Sequence, residues 1–205
     1  MRSRDGGNSR TARRGATADA FLDAAERLLV EVGHAGITTR RLAAEAGANQ
    51  GLVHYYFGSI DELLVQVLER FTERLVARQR EMYGTDDPFI EKWRTAWRFQ
   101  EEDLEAGYSK IWMELQALSW SRADLRPRVA HVNAEWRAVL REAYTRAAED
   151  YGLGDEFPVE ALVAMTMTFG QGFALERLEG IDEGHGELLD WIEGWLESLE
   201  ERRTP

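Results

Sequence analysis

Within "EAGANQGLVHYYFGSIDELL" (Glu45 to Leu64), hydrogen-bonding side chains crowd into very little chain: Asn49, Gln50, His54, Tyr55 and Tyr56. Asn and Gln can bond the N6/N7 edge of adenine with both ends of the amide. Gly51 allows a backbone to come close to a ligand. The hydroxyls and the imidazole suit the sugar-phosphate backbone. Upstream, Thr38, Thr39 and Arg40 stand at a helix start, where hydroxyls, backbone N–H groups and a cation can hold phosphate. A plainer reading stands beside this one, because paired tyrosines on a helix also serve as half-buried packing with a wet tip. Spacing alone does not separate the two.

Other chemistries find little support. The chain has no cysteine, which excludes disulfides, thiolate metal sites and thiol nucleophiles. His34, His54, His131 and His185 are scattered, and none pairs with another at metal-binding spacing. There is no nucleophile-elbow, phosphate-loop or dinucleotide fingerprint. No catalytic residue, metal or cofactor is therefore expected, and an enzyme ranks well below a binding protein.

Helices must position the polar cluster. Phe21, Ala24, Ala25, Leu28, Leu29 and Val32 recur at helical spacing over about 17–32, and Gly33 and Gly36 end that run. Thr38 suits the N-cap of a short helix carrying Leu42, Ala43 and Ala46, which Gly47 closes. Asn49 suits the cap of a helix of barely two turns. "SIDE" (Ser59 to Glu62) then has capping-box spacing before a long stripe of Leu63, Leu64, Val67, Leu68, Phe71 and Leu75. Two helices around a glycine turn match the helix-turn-helix layout, in which Ala43, Ala44, Ala46 and Ala48 would permit close approach. Further helices are predicted at about 88–106, 109–120, 124–151, 158–180 and 186–202, with no strand alternation. The fold class is all-α with about nine helices.

The formal charge of -12 argues against a nucleic-acid partner, but its distribution does not. Up to Gly58 there are eight Arg against six acidic residues; beyond it, 17 basic against 31 acidic. Arg2, Arg4, Arg10, Arg13 and Arg14 face only Asp5, so residues 1–15 read as a flexible basic arm. No apolar run approaches the roughly 18 residues of a membrane span. The start lacks the apolar core of a secretory signal, so a cytoplasmic protein with no membrane partner is expected.

The run "GITTRRLAAEAGANQGLVHYYFGSIDELL" resembles the N-terminal signature of TetR-family transcriptional regulators, and the likeness extends over residues 16–64. It implies a helix-turn-helix domain over 16–62 and an effector-binding and dimerisation domain over 63–205. It also implies a homodimer, usually a repressor, on double-stranded DNA with a palindromic operator. The positions matching Thr38, Thr39, Asn49, Gln50, Gly51, His54, Tyr55 and Tyr56 lie at the DNA in that family. Two positions depart from its pattern: Ile60 stands where lysine is very common, and His54 where tyrosine is frequent.

The C-terminal part offers Trp93, Trp97, Trp112, Met113, Gln116, Trp120, Trp136, Met165, Phe169 and Phe173 as lining for a small, largely apolar effector, with Thr166 and Gln171 as further polar groups. The same side chains can fill an ordinary core. Phe169, Gly172, Leu188, Trp191, Ile192, Trp195 and Leu199 form apolar faces on the last two helices, which the resemblance assigns to a four-helix dimer interface. The rival reading is a helical-bundle enzyme or small-molecule carrier whose helix-turn-helix is incidental.

Overall fold

The computed structural model of the protein describes residues 5–153 and 158–203, with side chains over 14–153 and 158–202. Among the described residues there are nine α-helices and no strand. They are α1 (Asp5–Val32), α2 (Thr39–Glu45), α3 (Gly51–Phe57), α4 (Ile60–Tyr83), α5 (Phe89–Glu105), α6 (Tyr108–Ser121), α7 (Arg126–Tyr151), α8 (Val159–Leu178) and α9 (His185–Arg203), with a 3-10 turn at His34–Gly36 after α1. No helix of the described residues is long and apolar enough to cross a membrane. The all-α expectation is met. α1, however, begins at Asp5 rather than near Thr17, so helix runs through most of the stretch read as an arm. The side chains of Arg2, Arg4, Arg10 and Arg13 lie outside the described residues.

Two compact units form. The first takes the chain up to Phe71 together with Lys110–Val129; the second takes Thr72–Ser109 and the chain from Ala130 onward. The first buries Phe21, Leu29, Leu42, Val53, Leu63 and Leu68, the stripes of α1 to α4, along with Ile111 and Leu115 of α6. Glu114 shows why α6 belongs here: its carboxylate accepts from the His34 backbone N–H. The Lys110 ammonium also donates to the Val30 carbonyl at 3.2 Å. Free groups at the end of α1 thereby gain partners.

The second unit has two apolar centres. One joins Val76, Met82 and Tyr83 of α4 to Val139, Leu140 and Ala143 of α7 and Val163 of α8. The other joins Ile90 of α5 to Leu196 and Leu199 of α9. Arg94 of α5 strengthens the second contact, bonding Glu193 at 2.6 Å and Glu197 at 2.8 Å.

Candidate nucleic-acid interface

The turn between α2 and α3 is built from the backbone outward. Thr38, extended at φ -131°, accepts the Arg41 N–H through its hydroxyl at 3.2 Å and so starts α2 as expected. At the other end Gly47 takes φ +61°, the Ala48 N–H reaches the Ala43 carbonyl at 2.9 Å, and the Gly47 N–H reaches that of Ala44 at 3.3 Å. This is a Schellman ending, which needs a residue at ease with positive φ. Ala43 is buried beneath the turn and Ala46 and Ala48 are half-buried, but Ala44 faces outward. Ala44 is therefore not one of the close-packing alanines.

α3 begins at Gly51 with Gln50 at the N-cap position, one residue later than a cap at Asn49 would place it, yet the Asn49 side-chain oxygen accepts the Gly51 N–H at 2.9 Å. That bond turns the Asn49 carbonyl-side oxygen inward and leaves its NH2 group for another partner. Gln50 and Gly51 are exposed beside it. Val53 and Phe57 point into the core, so the short helix is held by one face only.

At the far end of α3, the His54 Nδ1–H donates to the Gly58 carbonyl at 2.9 Å, and the Gly58 N–H donates to the His54 carbonyl at 3.0 Å. A carbonyl can only accept, so Nδ1 carries the proton and Nε2 faces away from this bond. Tyr55 is 61 % exposed, and Tyr56 is half-buried. Their rings meet edge to face at 5.1 Å, and Tyr56 also lies 6.5 Å from the Phe21 ring. Tyr56 thus packs in part against the core of this unit, while Tyr55 presents its ring to solvent.

Ser59 accepts the Glu62 N–H at 3.1 Å, the first half of the expected capping box. The return bond is missing because the Glu62 carboxylate is taken by Arg128. Ile60, at the first turn of α4, is half-buried.

Charge placement marks this surface most clearly. Elsewhere in the first unit four arginines are matched with carboxylates: Arg27 with Glu45, Arg70 with Asp23 and Glu26, Arg122 with Asp61 and Asp124, Arg128 with Glu62 and Glu69, while Arg126 bonds the Ser119 and Trp120 carbonyls. Thr38, Arg40 and Arg41 are exposed and Thr39 half-buried. Among the described residues Arg40 and Arg41 have no carboxylate partner; Arg41 instead donates to the Gly36 carbonyl at 2.8 Å. Arg41 was not singled out from the sequence. The signal available was its place one residue after Arg40, within the first turn of α2.

The other expected sites are placed less simply. Trp112, Met113, Gln116 and Trp120 belong to the first unit, while Trp93, Trp97, Trp136, Met165, Phe169 and Phe173 belong to the second. Trp97 is the hub of an aromatic cluster, with ring centres 6.1 Å from Trp93, 5.4 Å from Phe169 and 4.9 Å from Phe173. Trp136 packs on the α4–α7–α8 core. Gln116 and Gln171 are half-buried. Trp120 and Met165 are exposed at the chain's surface. Nearby in the second unit, the Tyr144 and Thr166 hydroxyls bond at 2.6 Å, and burial pushes the Tyr144 phenol above its ordinary range.

On α9 the apolar face divides. Leu199 is buried against Ile90, and Ile192 and Trp195 pack on the same centre. Leu188 and Trp191 stay exposed, and Gly172 on α8 has nothing within 4 Å of an added Cβ. Among the described residues nine large apolar side chains are exposed, and six of them fall between Met165 and Trp191.

Comparison with known proteins adds an independent line. Residues 21–67 match the model of the family "bacterial regulatory proteins, tetR family". The HTH-type transcriptional regulator BetI 1 of Chromohalobacter salexigens is 30 % identical over 121 residues, which span 57 % of this chain and 58 % of that protein. A TetR transcription regulator of Haloarcula marismortui superposes with TM-score 0.67 at 20 % identity, over 92 % of this chain and 94 % of the other. FadR of Bacillus subtilis, in complex with stearoyl-CoA, gives 0.61 at 14 % identity, over 86 % and 96 %. At such identities the structural likeness establishes the fold alone. Over residues 21–67 the chain thus carries the sequence pattern of the tetR family of bacterial regulatory proteins, and over most of its length it shares the fold of a TetR transcription regulator.

Proposed function

We propose that the chain is a cytoplasmic, homodimeric repressor that binds a palindromic operator and is released by a small, largely apolar effector. The observation that carries DNA binding is the exposed Asn49–Gln50–Gly51 start of α3, flanked by arginines that no carboxylate neutralises. In this reading Gln50 and Asn49 read base edges, while Thr38, Thr39, Arg40, His54, Tyr55 and Tyr56 hold the backbone. The first unit is the DNA-binding part. The second carries the effector and dimer functions.

The exposed apolar side chains of α8, the following turn and α9 support dimerisation through Leu188, Trp191 and the open face at Gly172. Two-fold symmetry then sets two recognition helices about one helical turn of DNA apart, or a multiple of it. The aromatic cluster around Trp97 is where we place the effector, and a fold relative in complex with stearoyl-CoA is in keeping with an effector that has an apolar part. Helix α4 contributes residues to both units, so a ligand that prefers one setting of α4 shifts the population competent for DNA.

The test is selection of bound sequences from random duplex DNA, followed by a small-molecule screen for release of the best one. Gln50→Ala with Tyr55→Ala should abolish binding to the selected duplex while leaving the fold intact. Enriched sequences without inverted symmetry would refute the dimeric operator, and turnover of a small molecule by the purified chain would favour an enzyme.

A further inference from the structure

We propose that Arg14 is a DNA-backbone clamp, held over the tyrosine pair so that α1 contributes a phosphate contact at the α3–α4 corner. The inference rests on the reading of α3 as the DNA-facing helix. The Arg14 guanidinium carbon stands 5.1 Å from the Tyr55 ring centre and 5.9 Å from that of Tyr56. A guanidinium held against aromatic rings gives up none of its N–H donors to them and can still bond an anion. That leaves two parallel donors for a phosphate, a geometry no ammonium reproduces.

The platform under it is anchored. Tyr56 lies 6.2 Å from the buried Phe57 ring and 6.5 Å from Phe21, so the pair is tied to the core of the first unit. Arg14 itself is exposed, and among the described residues no carboxylate partners it. Arg27, Arg70, Arg122 and Arg128 are by contrast each matched with an acid, and its place over the tyrosine pair sets Arg14 apart from Arg40 and Arg41. Gly58 and Ser59 connect α3 to a half-buried Ile60 at the start of α4, and the cations next along, Arg122 and Arg128, are taken by Asp61 and Glu62. Arg14 and Tyr55 are far apart in the chain, so no local motif announces the pair.

The test measures binding of the full chain to a duplex enriched by the wild type from a random pool, and to a scrambled duplex of equal length, over a salt series. Arg14→Gln should lower the slope of log K against log salt by about 0.9 per bound chain on both duplexes, because one phosphate contact is lost without loss of base reading. Arg14→Lys should keep most of the slope, since the charge remains. Superimposable thermal melts by circular dichroism show that the variants fold. An Arg14→Gln slope equal to wild type, or an Arg14→Lys slope equal to Arg14→Gln, overturns the clamp and leaves DNA binding by α3 standing. A wild type that enriches no sequence and binds neither duplex in a salt-dependent way overturns both.

Discussion

Gly58 closes α3 at φ +77° and ψ -47°, a combination outside every well that L residues favour. An added Cβ there would meet nothing within 4 Å, so Gly58→Ala brings no clash and its cost is the backbone alone. Holding a non-glycine residue in such a region costs on the order of 1–3 kcal/mol. Against this, alanine restricts the unfolded chain and returns about 0.4–1 kcal/mol. The net is a loss of about 1–2 kcal/mol, roughly a five- to thirty-fold fall in the folding constant. Gly58→Asn should do no better, because asparagine's tolerance is for positive φ with positive ψ. Gly15→Ala is the matched control: it sits in α1 with open space around its Cβ and should raise stability by up to about 1 kcal/mol through helix propensity. The assay is urea denaturation followed by circular dichroism at one fixed protein concentration, since self-association would shift the midpoint. If Gly58→Ala matches or exceeds the wild-type midpoint, the corner between α3 and α4 is free to adopt an ordinary conformation. The reasoning that ties His54 and Tyr55 to a rigid helix end then fails.

Two further outcomes follow from charges. Arg128 of α7 bonds Glu69 at 2.5 Å and also holds Glu62, all three groups being about one-third exposed; Arg128→Met should cost about 1 kcal/mol after allowance for solvent screening, shrinking in 1 M salt, and equal midpoints for the two proteins at low salt would refute it. Asp103 is raised above its ordinary value of 3.8, chiefly by burial and despite the Arg78 guanidinium 2.5 Å away. Its folded form thus holds the proton more tightly than the unfolded chain, so its contribution to stability falls as pH rises from that ordinary value through the folded one. Wild type should therefore gain on Asp103→Asn as pH is lowered through this window, and a pH-independent difference between them would refute the assignment.

What was legible in the sequence was mostly local. Thr38 and Ser59 accept the backbone N–H groups their spacing assigned to them, because a cap is decided within one turn of chain. Asn49 likewise accepts a backbone N–H at the helix start, although the N-cap position falls one residue later, on Gln50. Decisions taken between distant segments were not legible. The apolar spacing on α9 marked a wide face, but could not say that Leu196 and Leu199 turn to Ile90 while Trp191 stays outside. Nor could it show that α6 joins the first unit, which depends on Glu114 meeting the end of α1. The pattern of period 3.6 says which residues share a face and nothing about what covers it.

The acidic total of -12 then takes on a different meaning for the proposed DNA contact. At physiological ionic strength charges beyond about 8 Å are largely screened, so what matters is the balance next to the phosphates. Three acids flank the helix-turn-helix: Glu45 at the end of α2, and Asp61 and Glu62 in the first turn of α4. Left alone, each would repel a phosphate. None is left alone, because Glu45 bonds Arg27 at 2.6 Å, Asp61 bonds Arg122 and Glu62 bonds Arg128. Exposed or half-exposed pairs of this kind add little stability. Their larger effect is to cancel local negative charge with cations drawn from α1, from the turn between α6 and α7 and from the start of α7, while Arg14, Arg40 and Arg41 have no carboxylate partner among the described residues. A chain this acidic can face DNA because its arginines are distributed, some to silence neighbouring acids and a few to meet the phosphates.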